Sequence, residues 1–261
     1  MFSNFLRTLA IATIGCLALA WGSNSQAADA TKPTVVFVHG AWADGSGWEP
    51  VASAVASKGY KVVVVQNPLS SLGADVEATR RAIVNHPGPV VLVGHSWGGV
   101  VITEAGTHDQ VSALVYVAAF GPDAGESVSS LLAAKGAPQP PGLANIRADS
   151  TGYLWLTMDG IQRDFAQDVP AAKSWFLGVS QVPIFSKAFD EKVANVGWKS
   201  KPSWYVVATE DRMIPPPAQE LFAKRMGATT TRVAASHVPM LSKSAEVTQA
   251  VLAAAESAAK R

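Results

Sequence analysis

The sequence predicts an α/β domain: a mostly parallel central sheet flanked by helices, with a helical cap inserted after the fourth strand. Three observations lead there. Short Val-rich runs without polar interruption recur along the chain, and strands buried on both faces read this way. The segments between them carry helical patterns, and strand–helix alternation implies parallel strands joined by right-handed crossovers. Residues 121–200 break that rhythm: they hold no convincing parallel strand but are dense in aromatic residues.

The elements follow in order. Residues 34–38 (TVVFV) form the first strand, and residues 48–57 a helix with Val51, Ala52, Val55 and Ala56 as its apolar positions. Residues 61–65 (KVVVV) are the second strand, and residues 74–84 a helix carrying Asp75, Glu77, Arg80 and Arg81. The strand at 90–93 (VVLV) leads into a helix at 100–107, and 111–118 (VSALVYVA) is the fourth strand. In the inserted cap, Tyr153, Trp155, Phe165, Trp175, Phe176, Phe185, Phe189 and Trp198 supply aromatic surface expected to line a pocket, above all Trp155 and Trp175. Pro138, Pro140 and Pro141, with Gly136 and Gly142, mark a turn or hinge there. After the cap come a strand at 205–208 (YVVA), a helix at 218–226 entered through three prolines, a weaker strand at 229–233 (TTTRV) and a last helix at 245–259. The core is thus expected over about 31–120 and 201–261, the cap over about 121–200.

Composition bounds the function. The chain has 261 residues, 48% hydrophobic and 16% charged, with 21 basic and 20 acidic residues. That much apolar surface excludes disorder, and the absence of a basic excess argues against a nucleic-acid partner. A single cysteine, Cys16, excludes a disulfide framework. It lies in an apolar run over residues 9–21, preceded by Arg7 and followed by Ser25-Gln26-Ala27. Basic start, short apolar middle and small-x-small site are the parts of a secretory signal peptide, with cleavage expected after Ala27 or Ala30. The run is too short to span a bilayer, for which ~20 residues are needed, and Thr13-Ile14-Gly15 fits a lipoprotein signal poorly. Removing 27 of the 261 residues leaves 234, with 20 basic and 20 acidic groups and no cysteine. An exported, periplasmic or secreted protein is expected, with no stable membrane span after cleavage.

The motif that carries chemistry is Gly94-His95-Ser96-Trp97-Gly98-Gly99, directly after the VVLV strand and before a helix. A G-x-S-x-G between strand and helix is a nucleophile elbow, which exposes the serine at the carboxyl end of the sheet. Serine needs a base. Of His39, His86, His95, His108 and His237, only His237 lies after the last strand, where this chain order puts the base. A carboxylate that fixes the histidine tautomer should follow the strand at 205–208. Asp211 is the choice, with Glu210 a neighbour that spacing leaves open. The Trp97 N–H after the serine is one expected oxyanion donor. The loop His39-Gly40-Ala41-Trp42 supplies the other through Ala41, with Gly40 allowing close backbone approach and Trp42 shaping the pocket. His39 is expected to orient this loop, and His95 to pack.

These segments resemble the α/β-hydrolase superfamily, and within it the branch of plant methyl esterases and hydroxynitrile lyases with their bacterial relatives. The resemblance rests on FVHGAWADGSGW (37–48), GHSWGG (94–99), VAAFGPDAGES (117–127), ATEDRMIP (208–215) and SHVPML (236–241), five segments in the same order. It implies Ser96 as nucleophile, Asp211 rather than Glu210 as acid, His237 as base, and Ala41 and Trp97 as oxyanion donors. It also marks a departure: the lyases carry a lysine directly after the catalytic histidine, where this chain has Val238. The expectation is therefore a serine hydrolase cleaving a small, largely uncharged carboxylic ester through an acyl-enzyme, with no cofactor or metal. Hydroxynitrile lyase, amidase, lactonase and perhydrolase chemistry on the same residues are the alternatives within the fold. A ligand-binding sensor or carrier is the alternative of another class.

Overall fold

The computed structural model describes residues 32–260. The expected signal peptide and Cys16 lie outside the described residues. Six strands form one parallel sheet: β1 (Thr34–Val38), β2 (Val62–Val65), β3 (Val90–His95), β4 (Val111–Val117), β8 (Ser203–Ala208) and β9 (Thr229–Val233). Their order is β2-β1-β3-β4-β8-β9. β1 and β3 sit inside it, with Val36 opposite Leu92 and Val38 opposite Gly94. Every residue of these two strands is buried, as their unbroken apolar sequences require when both faces are covered. The edge strands β2 and β9 are only partly buried, which is why TTTRV is the weakest strand signal.

Helices cover the sheet. α1 (Glu49–Ser57) packs with α9 (Ser244–Ala259), and α2 (Leu72–Val84) packs with α3 (Gly98–Ala105). α2 begins two residues before its apolar pattern becomes visible, because the Ser71 hydroxyl accepts from the Ala74 N–H, 3.0 Å, and caps it. α7 (Pro216–Met226) opens on two prolines and packs on β8; Gly227 closes it in the left-handed conformation, φ +61°. No helix of the described residues is long and apolar enough to cross a membrane.

The chain between β4 and β8 forms the inserted segment, and to the helices expected of this cap the structure adds a small sheet. The segment contains the helices α4 (Val128–Leu132), α5 (Met158–Gly160) and α6 (Ala171–Ser180), together with a small antiparallel sheet of β5 (Ile146–Ala148), β6 (Tyr153–Leu156) and β7 (Ile184–Phe185). The β5–β6 turn is built on Asp149, whose Oδ1 accepts from the N–H groups of Thr151 and Tyr153, while Gly152 takes φ +89°. The signal was the Asp-Ser-Thr-Gly between Ile-Arg-Ala and Tyr-Leu-Trp-Leu. Strands of two to four residues have too few positions to show a period.

Candidate active site

The β3–α3 turn is tight. A Cβ on Gly94 would lie 2.5 Å from the Gly98 carbonyl oxygen, so only glycine fits there. Ser96 itself is in the left-handed region, φ +53°, a strained conformation for a non-glycine residue. It is held by its own carbonyl, which accepts from the Gly99 N–H at 3.0 Å and the Phe120 N–H at 3.2 Å. The side chain faces a cavity of about 210 Å³.

His237 reaches this serine from the loop between β9 and α8 (Pro239–Ser242). Its Nε2 lies 2.8 Å from Ser96 Oγ and its Nδ1 lies 2.7 Å from Asp211 Oδ2. A carboxylate oxygen only accepts, so Nδ1 carries the proton and Nε2 accepts from the serine hydroxyl. Asp211, in the loop after β8, also accepts from the Met213 and Ile214 N–H groups at 2.7 and 2.9 Å and from Gln219 Nε2 at 2.7 Å. Gln219 is a partner that sequence reasoning missed. It is fully buried on α7, donates also to the Ile214 carbonyl, and accepts from the Ala208 N–H; its position one turn beyond the proline entrance was the available signal. Glu210 is exposed and does not face the serine; its carbonyl accepts from Gln167 Nε2.

The other histidines separate as expected for two of them. His95 Nε2 donates to the His237 carbonyl at 2.7 Å, and its ring lies 4.7 Å from that of His237. Burial holds its pKa well below 6.5, so this neighbour is neutral and fixes the backbone of His237. His39, also lowered by burial, donates from Nδ1 to the Gly40 carbonyl at 2.8 Å, and its Nε2 accepts from the Asn67 N–H at 2.9 Å.

Ala41 and Trp97 both border the cavity beside Ser96. Among the described residues neither of their N–H groups has a hydrogen-bond partner, which is notable for residues only 1% exposed. Gly40 lets the loop come this near: a Cβ there would lie 2.7 Å from Ser96 Cβ. The Trp97 indole is fixed from behind, its Nε1–H donating to Asp75 Oδ2 at 2.7 Å. Asp75 Oδ1 accepts from the Leu69 N–H at 2.8 Å. Burial raises the Asp75 carboxyl to a pKa of about 6. The sequence showed Asp75 as one of the four charges of its helix, with no role assigned; the structure buries it fully.

The rest of the cavity wall is apolar. Trp42 and Phe120 line it from the core, with Leu154, Phe189 and Met213, and no Lys, Arg, Asp or Glu is among the lining residues. Trp155 and Trp175 are not among them, which corrects the expectation for both. Trp155 is 39% exposed and donates to Asp149 Oδ2; Trp175 is 53% exposed on α6. The aromatic that the cap does supply is Phe189, edge-on to Trp42 at 6.2 Å and to Trp97 at 5.6 Å between ring centroids. Among the described residues no group of three His, Cys, Asp or Glu side chains is placed to hold a metal ion.

The chain is similar in sequence and in fold to several known proteins. An alpha/beta hydrolase of Aspergillus novofumigatus, nvfD, is 27% identical over 238 residues, which is 81% of this chain and 92% of that protein. A carbendazim hydrolyzing esterase of a Nocardioides strain is 34% identical over 113 residues, 37% of this chain and 46% of that one. The crystal structure of a pyrethroid hydrolase from Sphingobium faniae superposes with a TM-score of 0.75 at 20% identity, covering 88% of this chain and all of the other. Residues 35–250 match the alpha/beta hydrolase family, and with the parallel six-stranded sheet and the serine turn at its carboxyl edge, the chain belongs to that family.

Proposed function

We propose that the protein is a serine esterase acting on small, largely uncharged carboxylic esters. The observation that carries this reading is the continuous row Asp211–His237–Ser96, with contacts of 2.7 and 2.8 Å, opening into a cavity with no charged lining residue. The esterase and hydrolase names of relatives support it.

In this reading Ser96 Oγ attacks the ester carbonyl as His237 Nε2 takes its proton. Asp211 holds the tautomer and faces the imidazolium that forms. The carbonyl oxygen, now an oxyanion, is received by the N–H groups of Ala41 and Trp97, whose donors have no other partner. His237 returns the proton to the departing alcohol, leaving an acyl-Ser96. Water, deprotonated by the same nitrogen, then attacks the acyl carbon and releases the acid. The apolar cavity favours a neutral ester over a phosphorylated or ionic one, since a charge buried there would lack a partner. Val238, 2% exposed, puts no cation beside His237, which favours hydrolysis over cyanohydrin cleavage.

The test is turnover of p-nitrophenyl butyrate by the wild type and by Ser96→Ala. A loss of at least ~10³-fold in kcat with an unchanged thermal midpoint is expected. Turnover that survives the substitution sinks the mechanism.

A further inference from the structure

The loop that bears Ala41 is bracketed from two sides. The peptide unit that contains the Ala41 N–H also contains the Gly40 carbonyl. His39 fixes that unit by donating to the carbonyl, with Asn67 locking the imidazole. The next peptide unit is fixed by the inserted segment: the Trp42 N–H donates to the Val182 carbonyl at 3.1 Å. The Trp42 indole Nε1–H donates to the Leu154 carbonyl at 2.9 Å. Leu154 pairs with Ile184 across β6 and β7, so both acceptors belong to the small antiparallel sheet or its immediate approach. Trp42 sits at φ +57°, a left-handed conformation that a side chain this bulky rarely adopts. Such strain persists only where the surroundings impose it, and it gathers at functional sites. Here the two bonds to the cap impose it, on the residue adjacent to an oxyanion donor.

We propose that Trp42 is a positioning residue: by tying its loop to the cap sheet it holds the Ala41 N–H where the oxyanion forms. Docking of the cap is then part of transition-state stabilisation as well as of substrate selection. The inference rests on the serine-esterase reading.

Trp42→Phe keeps an apolar ring against Phe189 while removing the indole donor and part of the ring system. Three quantities are read: kcat for p-nitrophenyl butyrate, affinity for n-butylboronic acid, and affinity for 4-nitrophenyl butyl ether. The boronate forms a tetrahedral adduct on Ser96 and places an oxygen at the oxyanion position. The ether has no carbonyl and fills the cavity without reacting. Expected are losses of about tenfold in kcat and in boronate affinity, smaller than the ~10²–10³ of removing an oxyanion donor outright, with ether affinity changed less than twofold. Parallel weakening of boronate and ether overturns the proposal, because Trp42 is then merely cavity wall; so does an unchanged kcat and boronate affinity. Trp42→Gly, for which φ +57° is unstrained, serves as a second variant should the phenylalanine protein fold poorly; because it also removes a ring from the cavity wall, boronate affinity is expected to fall at least about fivefold more than ether affinity. Ser96→Ala, run alongside, distinguishes the two failures. Boronate binding independent of Ser96 removes the esterase reading and the inference with it. Boronate binding that depends on Ser96 but is indifferent to Trp42 removes the inference alone.

Discussion

β3 and β6 are both short apolar strands next to the serine, yet every residue of β3 is buried whereas only Leu156 of β6 is. β3 has a strand on each side and helices over both faces. β6 pairs with strands of three and two residues. The sheet is held by apolar burial. The inserted segment buries apolar residues in the same core, Ile161, Phe165 and Ile184 among them, and adds polar ties to the loops of the site. Asp164 pairs with Arg212 beside Asp211. Asp168 Oδ2 accepts from the Ser236 N–H beside His237 at 3.0 Å. Glu191 Oε2 accepts from the Leu72 N–H at the start of α2 at 3.0 Å, and Leu154 and Val182 hold Trp42. The sheet strands carry the densest apolar burial; the polar ties of the inserted segment align a site that the sheet creates. Hydrogen bonds suit the second task because they are directional, whereas apolar burial is not.

The largest effect that tests this contrast is a matched pair of truncations. Leu92→Ala in β3 removes a fully buried side chain and is expected to cost ~2–5 kcal/mol of stability. Leu154→Ala in β6 removes a half-buried one that lines the cavity. Its expected cost is about 1 kcal/mol or less, since an open site loses little transfer energy, but KM for p-nitrophenyl butyrate should rise. Urea denaturation and steady-state kinetics on the two variants decide it. Equal stability costs would erase the distinction between the regions.

The same contrast explains what could be read from the sequence. Parallel strands buried on two faces leave a pattern that does not depend on distant residues, so TVVFV, VVLV and VSALVYVA were legible and their ends were off by only one or two residues. Ser96 and His237 were legible because the fold places them after strand ends that were already known; between Glu210 and Asp211 the spacing left both open, and the family resemblance chose Asp211. The cap lacks such regularity. Its hairpin was hidden in strands of three and four residues, and its one cavity-lining ring, Phe189, follows a two-residue strand that gave no signal. Gln219 and Asp75 were missed for another reason: a polar residue on a helix reads as surface unless its buried partner, here Asp211 or Trp97, is known.

A smaller effect sharpens the sheet side of the comparison through pH. His39 and His95 are buried in the core with pKa values lowered by burial. They stay neutral when folded and charge on unfolding below 6.5, so the unfolded chain binds more protons. Their contribution is complete above pH 6.5 and is lost as pH falls below it. Asp75 has the opposite sign. Its folded pKa of about 6 exceeds the 3.8 of an exposed carboxyl, so its contribution grows as pH falls from about 6 toward 3.8. Between pH 7.5 and 6.0 the histidines therefore dominate, and stability should drop by on the order of 1 kcal/mol. In His95→Gln, whose amide can still donate to the His237 carbonyl, about half of that drop should disappear. Denaturant titrations at the two pH values measure it, and an undiminished drop in the variant would show that His95 does not titrate on unfolding.

The smallest expected effect lies where the sequence pointed most insistently. Aromatic density in the cap argued for a pocket lining, but density does not say which way a ring faces. On α6, Trp175 and Phe176 are adjacent, and a helix turns by 100° between neighbours, so both face the same side only near the edge of an apolar stripe. Both are more than half exposed, as is Val179 one turn after Trp175. An exposed ring contributes less to folding than a buried one because less of its apolar area is removed from water. Trp175→Ser is accordingly expected to shift stability by less than ~0.5 kcal/mol and to leave kcat and KM for p-nitrophenyl butyrate within twofold of wild type. A tenfold rise in KM would mean that α6 folds over the cavity when substrate is bound, and that the cap is a moving lid. An unchanged KM keeps it a fixed brace whose contact with substrate runs through Phe189 and Leu154.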